Sequence, residues 1–168
     1  MRKVALIMGS DSDLPVVEKA AQVLQQFGVP FEVHVYSAHR TPDACAEFSR
    51  TASACGFGVI LAFAGKAAHL AGAIAANTIL PVIGIPIKSS NLDGIDALLS
   101  TVQMPTGMPV ATVAIDGAAN AALLSIQILA LSDQVLAEKF VAYRRSATQK
   151  VLEKNAQIEK KYNQIIQE

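Results

Sequence analysis

Charged side chains are scarce in this sequence. Asp, Glu, Lys and Arg make up 17% of the 168 residues, while hydrophobic residues make up 52%. Soluble proteins usually carry about a quarter of charged residues. A chain of this length is one domain that can bury a core of its own, yet with so few charges it would expose much apolar surface if it stayed alone. We therefore expect a homo-oligomer.

The sequence also lacks an excess of positive charge. Its 14 basic and 14 acidic residues give a formal net charge of +0. Proteins that bind nucleic acids present a basic surface to the phosphate backbone. We expect no nucleic-acid partner, although a local arginine or a helix N-terminus still suits a small anionic ligand.

Cysteine is rare, and no leader or membrane segment is indicated. Cys45 and Cys55 fall in one predicted helix, at a spacing that suits neither zinc nor a disulfide. Reduced cysteines are typical of the cytoplasm, where we place the protein. The apolar run that ends before Gly9 is too short for a signal peptide. The apolar stretch Ala67–Ile87 is broken by polar residues and prolines, so it predicts a helix and a buried strand rather than a membrane span.

Familiar cofactor and nucleophile motifs are missing as well. The loop after the first predicted strand lacks the spaced glycines of a dinucleotide fingerprint and the lysine of a P-loop, so ATP and NAD are poor candidates. No zinc spacing, catalytic carboxylate pair, serine elbow or Cys–His nucleophile is found. We expect chemistry by proton transfer and electrostatics, without a metal or other cofactor.

Strand and helix patterns alternate regularly along the chain. Predicted strands cover Val4–Met8, Phe31–Val35, Val59–Ala64, Pro81–Ile85 and Val110–Ile115. Predicted helices cover Leu14–Phe27, Pro42–Cys55, Ala67–Asn77, Asp93–Val102 and Ala118–Leu131. The boundaries follow from hydrophobic periodicity and from glycine and proline. This alternation predicts an α/β fold, a three-layer αβα sandwich around a parallel, flavodoxin-like sheet.

Much of the charge gathers in the C-terminal tail, from Asp133 to about Gln167. The tail has helical propensity and an imperfect apolar stripe, which predict a long C-terminal helix. We divide the chain into an α/β catalytic domain, residues 1–132, and a helical extension of the same domain, residues 133–168. The stripe fits a helix docked on its own domain and an arm in oligomer contacts equally well.

A polar loop, Gly9-Ser10-Asp11-Ser12-Asp13, follows the first predicted strand. Ligands bind at this end of open α/β sheets. The glycine allows close approach of the backbone, and the hydroxyls and carboxylates offer polar contacts. A helix N-cap explains Asp13 taken alone. The whole cluster fits a cap and a ligand site about equally.

A second polar loop, Ser37-Ala38-His39-Arg40-Thr41-Pro42, follows a strand that we predict to be buried. His39 can donate and accept a proton near neutral pH. Arg40 can bind a phosphate or a carboxylate through two hydrogen bonds. We predict that His39 is catalytic and that the two loops hold one anionic ligand between them. His34 lies inside the strand, where we expect it to pack.

Two further loops are candidates for the same site. In Ala64-Gly65-Lys66-Ala67-Ala68-His69-Leu70, small residues let a ligand lie against the backbone. Its histidine either caps the following helix, binds a carbonyl or takes part in the site. The later loop, Ile85 to Leu92, carries Lys88, Ser89, Ser90 and Asn91 and is a candidate to close over a substrate.

Five segments in collinear order, between about Arg2 and Ala147, carry a family resemblance. They are Met8-Gly9-Ser10-Asp11-Ser12-Asp13, Ser37-Ala38-His39-Arg40-Thr41-Pro42, Ala67-Ala68-His69-Leu70, Val102-Gln103-Met104-Pro105 and Ala118-Ala119-Asn120-Ala121-Ala122-Leu123-Leu124. The chain resembles the PurE-type family, the N5-carboxyaminoimidazole ribonucleotide mutases of purine biosynthesis.

The resemblance implies a cofactor-free isomerase, assembled as an octamer with sites between subunits. The implied reaction moves a carboxylate from N5 to C4 of the imidazole ring by decarboxylation and recarboxylation. His39 would be the general acid and base, and His69 would shape the site for CO2 and the ring. Ser10, Asp13 and Arg40 would bind the ribonucleotide. The other implied substrate-binding residues are Gly9, Ser12, Ser37, Ala38, Gly65, Ala68 and Leu70.

Some residues bear on the class within this family. Arg40, His69 and Leu70 resemble the mutase class rather than the class that carboxylates aminoimidazole ribonucleotide with CO2 directly. Lys66 stands where the mutase pattern usually has a second glycine, and it either pairs with a substrate anion or faces solvent. The segment Ile115–Ala118 is also shortened and lacks a glycine-lysine-alanine element. The direct carboxylase, a non-catalytic nucleotide-binding module and a structural oligomer remain the alternatives.

Overall fold

The computed structural model describes residues 1–90 and 92–163. Within them the strands are β1 Lys3–Met8, β2 Phe31–Val35, β3 Phe57–Gly65, β4 Val82–Ile87 and β5 Ala111–Thr112. The helices are α1 Leu14–Phe27, α2 Pro42–Thr51, α3 Leu70–Ala75, α4 Ile95–Val102, α5 Ala118–Ala130 and α6 Gln134–Tyr162. A short 3-10 turn, Asp11–Asp13, precedes α1. Two predictions fall partly outside the described residues. They are the late loop at Asn91 and the tail helix at residues 164–167.

The strands form one parallel sheet in the order β2-β1-β3-β4-β5. Helices cover both of its faces, so the central strands are apolar on both sides. Val4 and Leu6 of β1 point into the core that includes α1 and α5, whereas Ala5 and Ile7 point into the core that includes α2 and α3. The predicted three-layer, flavodoxin-like fold is confirmed.

The first helix shows how local sequence sets an element. Its buried residues Val17, Ala20 and Leu24 follow the helical period and face the sheet. The helix ends at Gly28, whose φ of 72° is the left-handed conformation that glycine adopts without strain. The N–H of Gly28 donates to the carbonyls of Leu24 and Gln25 at the helix end. The predicted bounds of this helix are those of the structure.

The C-terminal helix α6 docks on the domain only through its first turns. Asp133 caps it by accepting a hydrogen bond from the N–H of Leu136 at 3.0 Å, and Leu136 is fully buried. Phe140 and Tyr143 then pack against Phe27 of α1. Residues 144–163 are all exposed in the single chain. The predicted long helix is confirmed, and its second half has no cover from its own chain within the described residues.

The second strand differs from its prediction. We expected β2 to be buried, but it lies at the edge of the sheet, and Val35 is 51% exposed. An edge strand has a neighbour on one side only, and β2 carries the polar residues Glu32 and His34 rather than a continuous apolar run. His34 packs in β2 as expected, stacked on Tyr36 and tilted against Phe48.

Three other elements are shorter in the structure than the sequence predicts. Helix α2 ends at Thr51, so the exposed Cys55 lies beyond the helix rather than in it with the buried Cys45. Helix α3 is Leu70–Ala75 rather than Ala67–Asn77. Strand β5, at the other edge of the sheet, is Ala111–Thr112 rather than Val110–Ile115, because only these two residues pair with β4.

Candidate active site

The polar loops that follow β1, β2 and β3 start at the same end of the sheet, where the carboxyl ends of these strands lie. Met8 of β1 lies beside Val35 of β2 and Phe63 of β3. From β1 the chain moves outward to β2, whereas β3, β4 and β5 continue on the other side. The boundary of β1 and β3 is thus the topological switch point, where open α/β sheets bind ligands.

The loop after β1 is a compact turn rich in hydroxyl groups. The N–H of Gly9 donates to the carbonyl of Phe63 at 3.1 Å and extends the pairing with β3. The hydroxyl of Ser12 donates to Oγ of Ser10 at 2.9 Å. Helix α1, of 14 residues, starts directly after this turn. The hydroxyls therefore lie at a helix N-terminus, where free N–H groups favour a bound anion.

Asp13 is buried and does not cap the helix. Its side chain makes no capping hydrogen bond to α1, so an N-cap does not explain this carboxylate. Burial raises the pKa of Asp13 above its ordinary value. Hydrogen bonds from the Ser10 backbone and the Ser12 side chain act in the opposite direction, while the charges of Asp11 and Asp116 raise it further. Asp13 is a carboxyl group whose proton is held more tightly than usual.

The loop after β2 is braced by its own hydroxyls and carries Arg40 toward β1. Oγ1 of Thr41 accepts a hydrogen bond from the N–H of Ser37 at 2.9 Å, and the N–H of Arg40 donates to Oγ of Ser37 at 3.2 Å. The guanidinium of Arg40 donates from Nη2 to the carbonyl of Gly9 at 3.0 Å. Arg40 thus joins the first two polar loops and keeps donors available for an anionic ligand.

His39 and His69 meet across the end of β1. Nε2 of His39 lies 2.9 Å from Nδ1 of His69, within hydrogen-bond distance, and the two rings are inclined at 82°. One ring supplies the N–H and the other the lone pair at this contact. Both rings are exposed toward the cavity edge of the sheet. The geometry gives a proton-transfer group whose orientation is fixed by a second imidazole.

These loops enclose a cavity of about 780 Å³. Of the predicted site residues, those that line it are Gly9, Ser10, Ser12, Asp13, Ser37, Ala38, His39, Arg40, Gly65, His69 and Leu70. Of the predicted site residues, Ala68 alone does not line the cavity. It is 1% exposed, so its side chain is buried and is not part of the cavity wall.

The cavity wall also contains residues from the two later candidate loops that were not named individually as substrate-binding residues. Lys66, Lys88, Ser89 and Ser90 line it from the loops after β3 and β4. The structure thus brings the late loop to the cavity edge. For Lys66 the sequence left two alternatives open, a pair with a substrate anion or a position facing solvent, because a sequence does not show which way a loop lysine points.

Asp116 is a further residue that the sequence analysis missed. It lies in the shortened connection between β5 and α5, and its Oδ1 accepts a hydrogen bond from the N–H of Lys88 at 3.0 Å. Its own N–H donates to the carbonyl of Pro86 at 2.9 Å. Asp116 therefore ties the loop after β4 to the start of α5. The only signal in the sequence was the short connection itself.

Strained backbone gathers at this edge of the sheet. In the part of the chain that the structure describes, the non-glycine residues with positive φ are Lys66, Leu92, Asp93 and Asp116. They lie in the loops after β3, β4 and β5, and their φ values run from 47° to 56°. Such conformations cost of order 1 kcal/mol each for residues other than glycine, and they concentrate at functional sites.

A larger cleft, of about 1010 Å³, lies at the opposite end of the strands, near the start of β4. Its wall is mostly apolar and includes Ile79, which is 96% exposed. Arg50 is the one charged residue among its described lining residues. No group there suits proton transfer near neutral pH, so we assign the chemistry to the cavity at the carboxyl ends of the strands.

The described residues form neither a metal-binding cluster nor a membrane-spanning helix. Within residues 1–90 and 92–163, no group of three or more His, Cys, Asp or Glu side chains is placed to hold a metal ion. No helix in the same ranges is long and apolar enough to cross a membrane.

Comparison with known proteins identifies the family. The model of the AIR carboxylase family matches residues 3–150. The chain belongs to the AIR carboxylase family. Within it, N5-carboxyaminoimidazole ribonucleotide mutase of Pyrococcus horikoshii is 54% identical over 156 residues, which cover 93% of this chain and 88% of that protein.

Two other members of the AIR carboxylase family are informative. Phosphoribosylaminoimidazole carboxylase of Saccharomyces cerevisiae is 51% identical over 156 residues, which cover 93% of this chain and 27% of that protein. A crystal structure of Treponema denticola PurE superimposes with a TM-score of 0.86 at 29% identity, covering 93% of this chain and 98% of that one. The resemblance expected from the sequence is confirmed.

Proposed function

We propose that this protein is an N5-carboxyaminoimidazole ribonucleotide mutase, an isomerase of purine biosynthesis that needs no cofactor. The observation that carries the proposal is the His39–His69 contact of 2.9 Å inside a cavity that also holds Arg40. The similarity to a mutase of nearly the same length supports the same activity.

The ribonucleotide binds with its phosphate at the first two loops. Ser10 and Ser12 offer hydroxyls at the N-terminus of α1, and Arg40 adds a guanidinium beside them. Asp13 accepts hydrogen bonds from the ribose. Gly9, Ser37, Ala38, Gly65 and Leu70 complete the wall, and the buried Ala68 lies in the same loop as Gly65. This assignment places the imidazole ring next to the two histidines.

The reaction requires His39 to donate one proton to the substrate and then to remove another. Cleavage of the bond between N5 and the carboxylate releases CO2, and N5, the exocyclic nitrogen, takes a proton from His39. C4 of the ring then attacks the retained CO2, and His39 removes the C4 proton, so it returns to its starting state. Proximity in the cavity replaces a bimolecular encounter between the ring and CO2. His69 orients His39 through the hydrogen bond between their rings.

The assembly belongs to the same proposal. We place residues 133–168 as an extension of the catalytic domain that takes part in a homo-oligomer, an octamer, in the cytoplasm. The exposed second half of α6 and the apolar cleft near Ile79 support contacts between copies. Light scattering on the purified protein checks this, and a monomer at working concentration would contradict it.

Turnover of two substrates tests the activity. The purified protein is given freshly prepared N5-carboxyaminoimidazole ribonucleotide, or aminoimidazole ribonucleotide with bicarbonate, and C4-carboxylated product is followed. We expect rapid conversion of the first only. Equal or faster conversion of the second would assign the protein to the direct carboxylases, a possibility raised by its similarity to the yeast carboxylase.

A variant of His39 separates an enzyme from a nucleotide-binding module. His39→Asn should lower kcat by a factor of about 10² to 10⁴, the usual contribution of a general acid or base, while the ribonucleotide still binds. A non-catalytic module would show no turnover in the unmodified protein. Unchanged turnover in the variant would remove His39 from the mechanism.

A further inference from the structure

Within the described residues, Lys66 is the cation of the cavity wall that makes no ion pair and no side-chain hydrogen bond. The cavity is lined by the cations Arg40, Lys66 and Lys88 and by the carboxylate of Asp13. Arg40 donates to a backbone carbonyl, and Nζ of Lys88 lies 3.1 Å from a carboxylate oxygen of Asp93. Within the residues that the structure describes, Lys66 takes part in no ion pair and no side-chain hydrogen bond. Its charge is thus available to a ligand.

One cation lies on each side of the histidine pair. Arg40 directly follows His39 in the loop after β2, and Lys66 precedes His69 by three residues in the loop after β3. The loops after β2 and β3 lie on opposite sides of β1, and their histidine rings are in contact. Arg40 and Lys66 therefore flank the histidine pair from opposite sides. The site therefore offers two separate anion-binding positions.

The proposed substrate carries two separate anions, a phosphate and a carboxylate. The phosphate suits the side of Arg40, where Ser10 and Ser12 add hydroxyls at the start of a helix. The carboxylate must lie at the histidines, because it leaves N5 and joins C4 there. That position is next to the loop that carries Lys66.

The backbone of Lys66 is held in an unusual conformation. Its φ is 56°, in the left-handed region that favours glycine. Gly65 and Ala67 on either side line the same cavity, so the turn lies against the space for the ligand. A lysine is thus present, at a cost in backbone strain, at a position where glycine would adopt the turn freely.

We propose that Lys66 binds the migrating carboxylate and makes the site prefer carboxylated ribonucleotides to the non-carboxylated one. This inference rests on the proposed function and names a specificity-determining residue for it. The ammonium group attracts the carboxylate in both substrate and product. Free CO2 carries no net charge, and the ring without its carboxylate offers Lys66 no anion.

The test compares two affinities in the unmodified protein, in three variants of Lys66 and in one control variant. Titration calorimetry measures binding of the C4-carboxylated ribonucleotide and of aminoimidazole ribonucleotide to the unmodified protein and to Lys66→Met, Lys66→Gly and Lys66→Arg. We expect Lys66→Met and Lys66→Gly to weaken binding of the carboxylated nucleotide on the order of tenfold, as for loss of a charged hydrogen bond. Binding of the other nucleotide should stay the same.

The variants control for one another. Methionine keeps the side-chain length and the backbone strain, glycine relieves the strain, and arginine keeps the charge and should keep the preference. Lys19→Met, at an exposed position of α1, removes the same charge outside the cavity and should change neither affinity.

Either of two results overturns the inference. One is an unchanged ratio of the two affinities in Lys66→Met and Lys66→Gly, and the other is an equal loss for both nucleotides. Binding is measured without turnover, so the inference is tested separately from the activity. A wild-type protein that binds both nucleotides and converts neither would refute the proposed function, while the affinity ratio would still decide what Lys66 does.

Discussion

Nε2 of His39 lies 2.9 Å from Nδ1 of His69, although the two residues are 30 positions apart in the chain. They come from the loops after β2 and β3, which flank the end of β1. A catalytic imidazole must present the correct nitrogen to its substrate, and a hydrogen bond at the other nitrogen decides which one carries the proton. His69 is therefore a positioning residue for His39 in the proposed reaction.

Substitution of His69 tests this positioning. We expect His69→Ala to lower kcat more than it changes KM, because the His39 ring loses the partner that orients it. His69→Asn should retain more activity than His69→Gln, since an asparagine amide reaches the place of Nδ1 and a glutamine amide reaches farther. Steady-state kinetics of the three variants measure the effect. A loss confined to KM, the same in all three, would instead indicate a contact with substrate.

Asp13 should make the protein less stable as the pH rises. Burial raises its pKa in the folded state above the ordinary value of 3.8. The folded protein then holds the proton more tightly than the unfolded chain, so the free energy of unfolding falls between pH 3.8 and the raised pKa. We expect Asp13→Asn to be more stable than wild type near pH 7 and to lose that advantage below pH 3.8.

Denaturant unfolding at several pH values checks this prediction, with Asp11→Asn as the control. Asp11 is exposed in the same turn and should give a smaller change. The same Asp13→Asn variant should bind ribonucleotide more weakly if its carboxylate contacts the ribose. A variant that is less stable than wild type at every pH would show that hydrogen bonds to the carboxylate outweigh the cost of burying it.

Asp116 should hold the loop after β4 in place. Asp116→Ala removes the acceptor for the N–H of Lys88, at a cost of about 0.5–1.5 kcal/mol for one hydrogen bond. We expect faster hydrogen exchange in residues 86–90 and a several-fold higher KM. Asp116→Asn keeps an acceptor oxygen and should behave more like wild type. Equal exchange in all three proteins would show that other contacts hold the loop.

Gly84 in the middle of β4 should tolerate no side chain. A Cβ there would lie 2.3 Å from Cγ2 of Thr101 in α4, far inside contact distance. We expect Gly84→Ala to destabilise the protein by about 1–3 kcal/mol, as overpacking does in other cores. Thr101→Ser removes the clashing methyl and keeps the hydroxyl that donates to the carbonyl of Ala97. The double variant should recover part of the loss in thermal unfolding.

The sequence determined most of the fold because its signals are local. The period of Val17, Ala20 and Leu24 and the glycine at position 28 specify α1 and its end within one segment. Continuous apolar runs such as Val4–Met8 indicate strands covered on both faces. A local pattern does not show whether a strand lies in the centre or at an edge of the sheet, which is why β2 was expected to be buried and β5 to be longer.

The sequence also marked the site residues, since glycine, hydroxyls, His39 and Arg40 follow predicted strands in short motifs. Only the tertiary structure decided how they combine. The strand order puts β1 between β2 and β3, and so brings His39 onto His69, Arg40 onto Gly9 and Asp116 onto the loop at Lys88. Strand order depends on packing between distant segments, and no local pattern in the chain encodes those contacts.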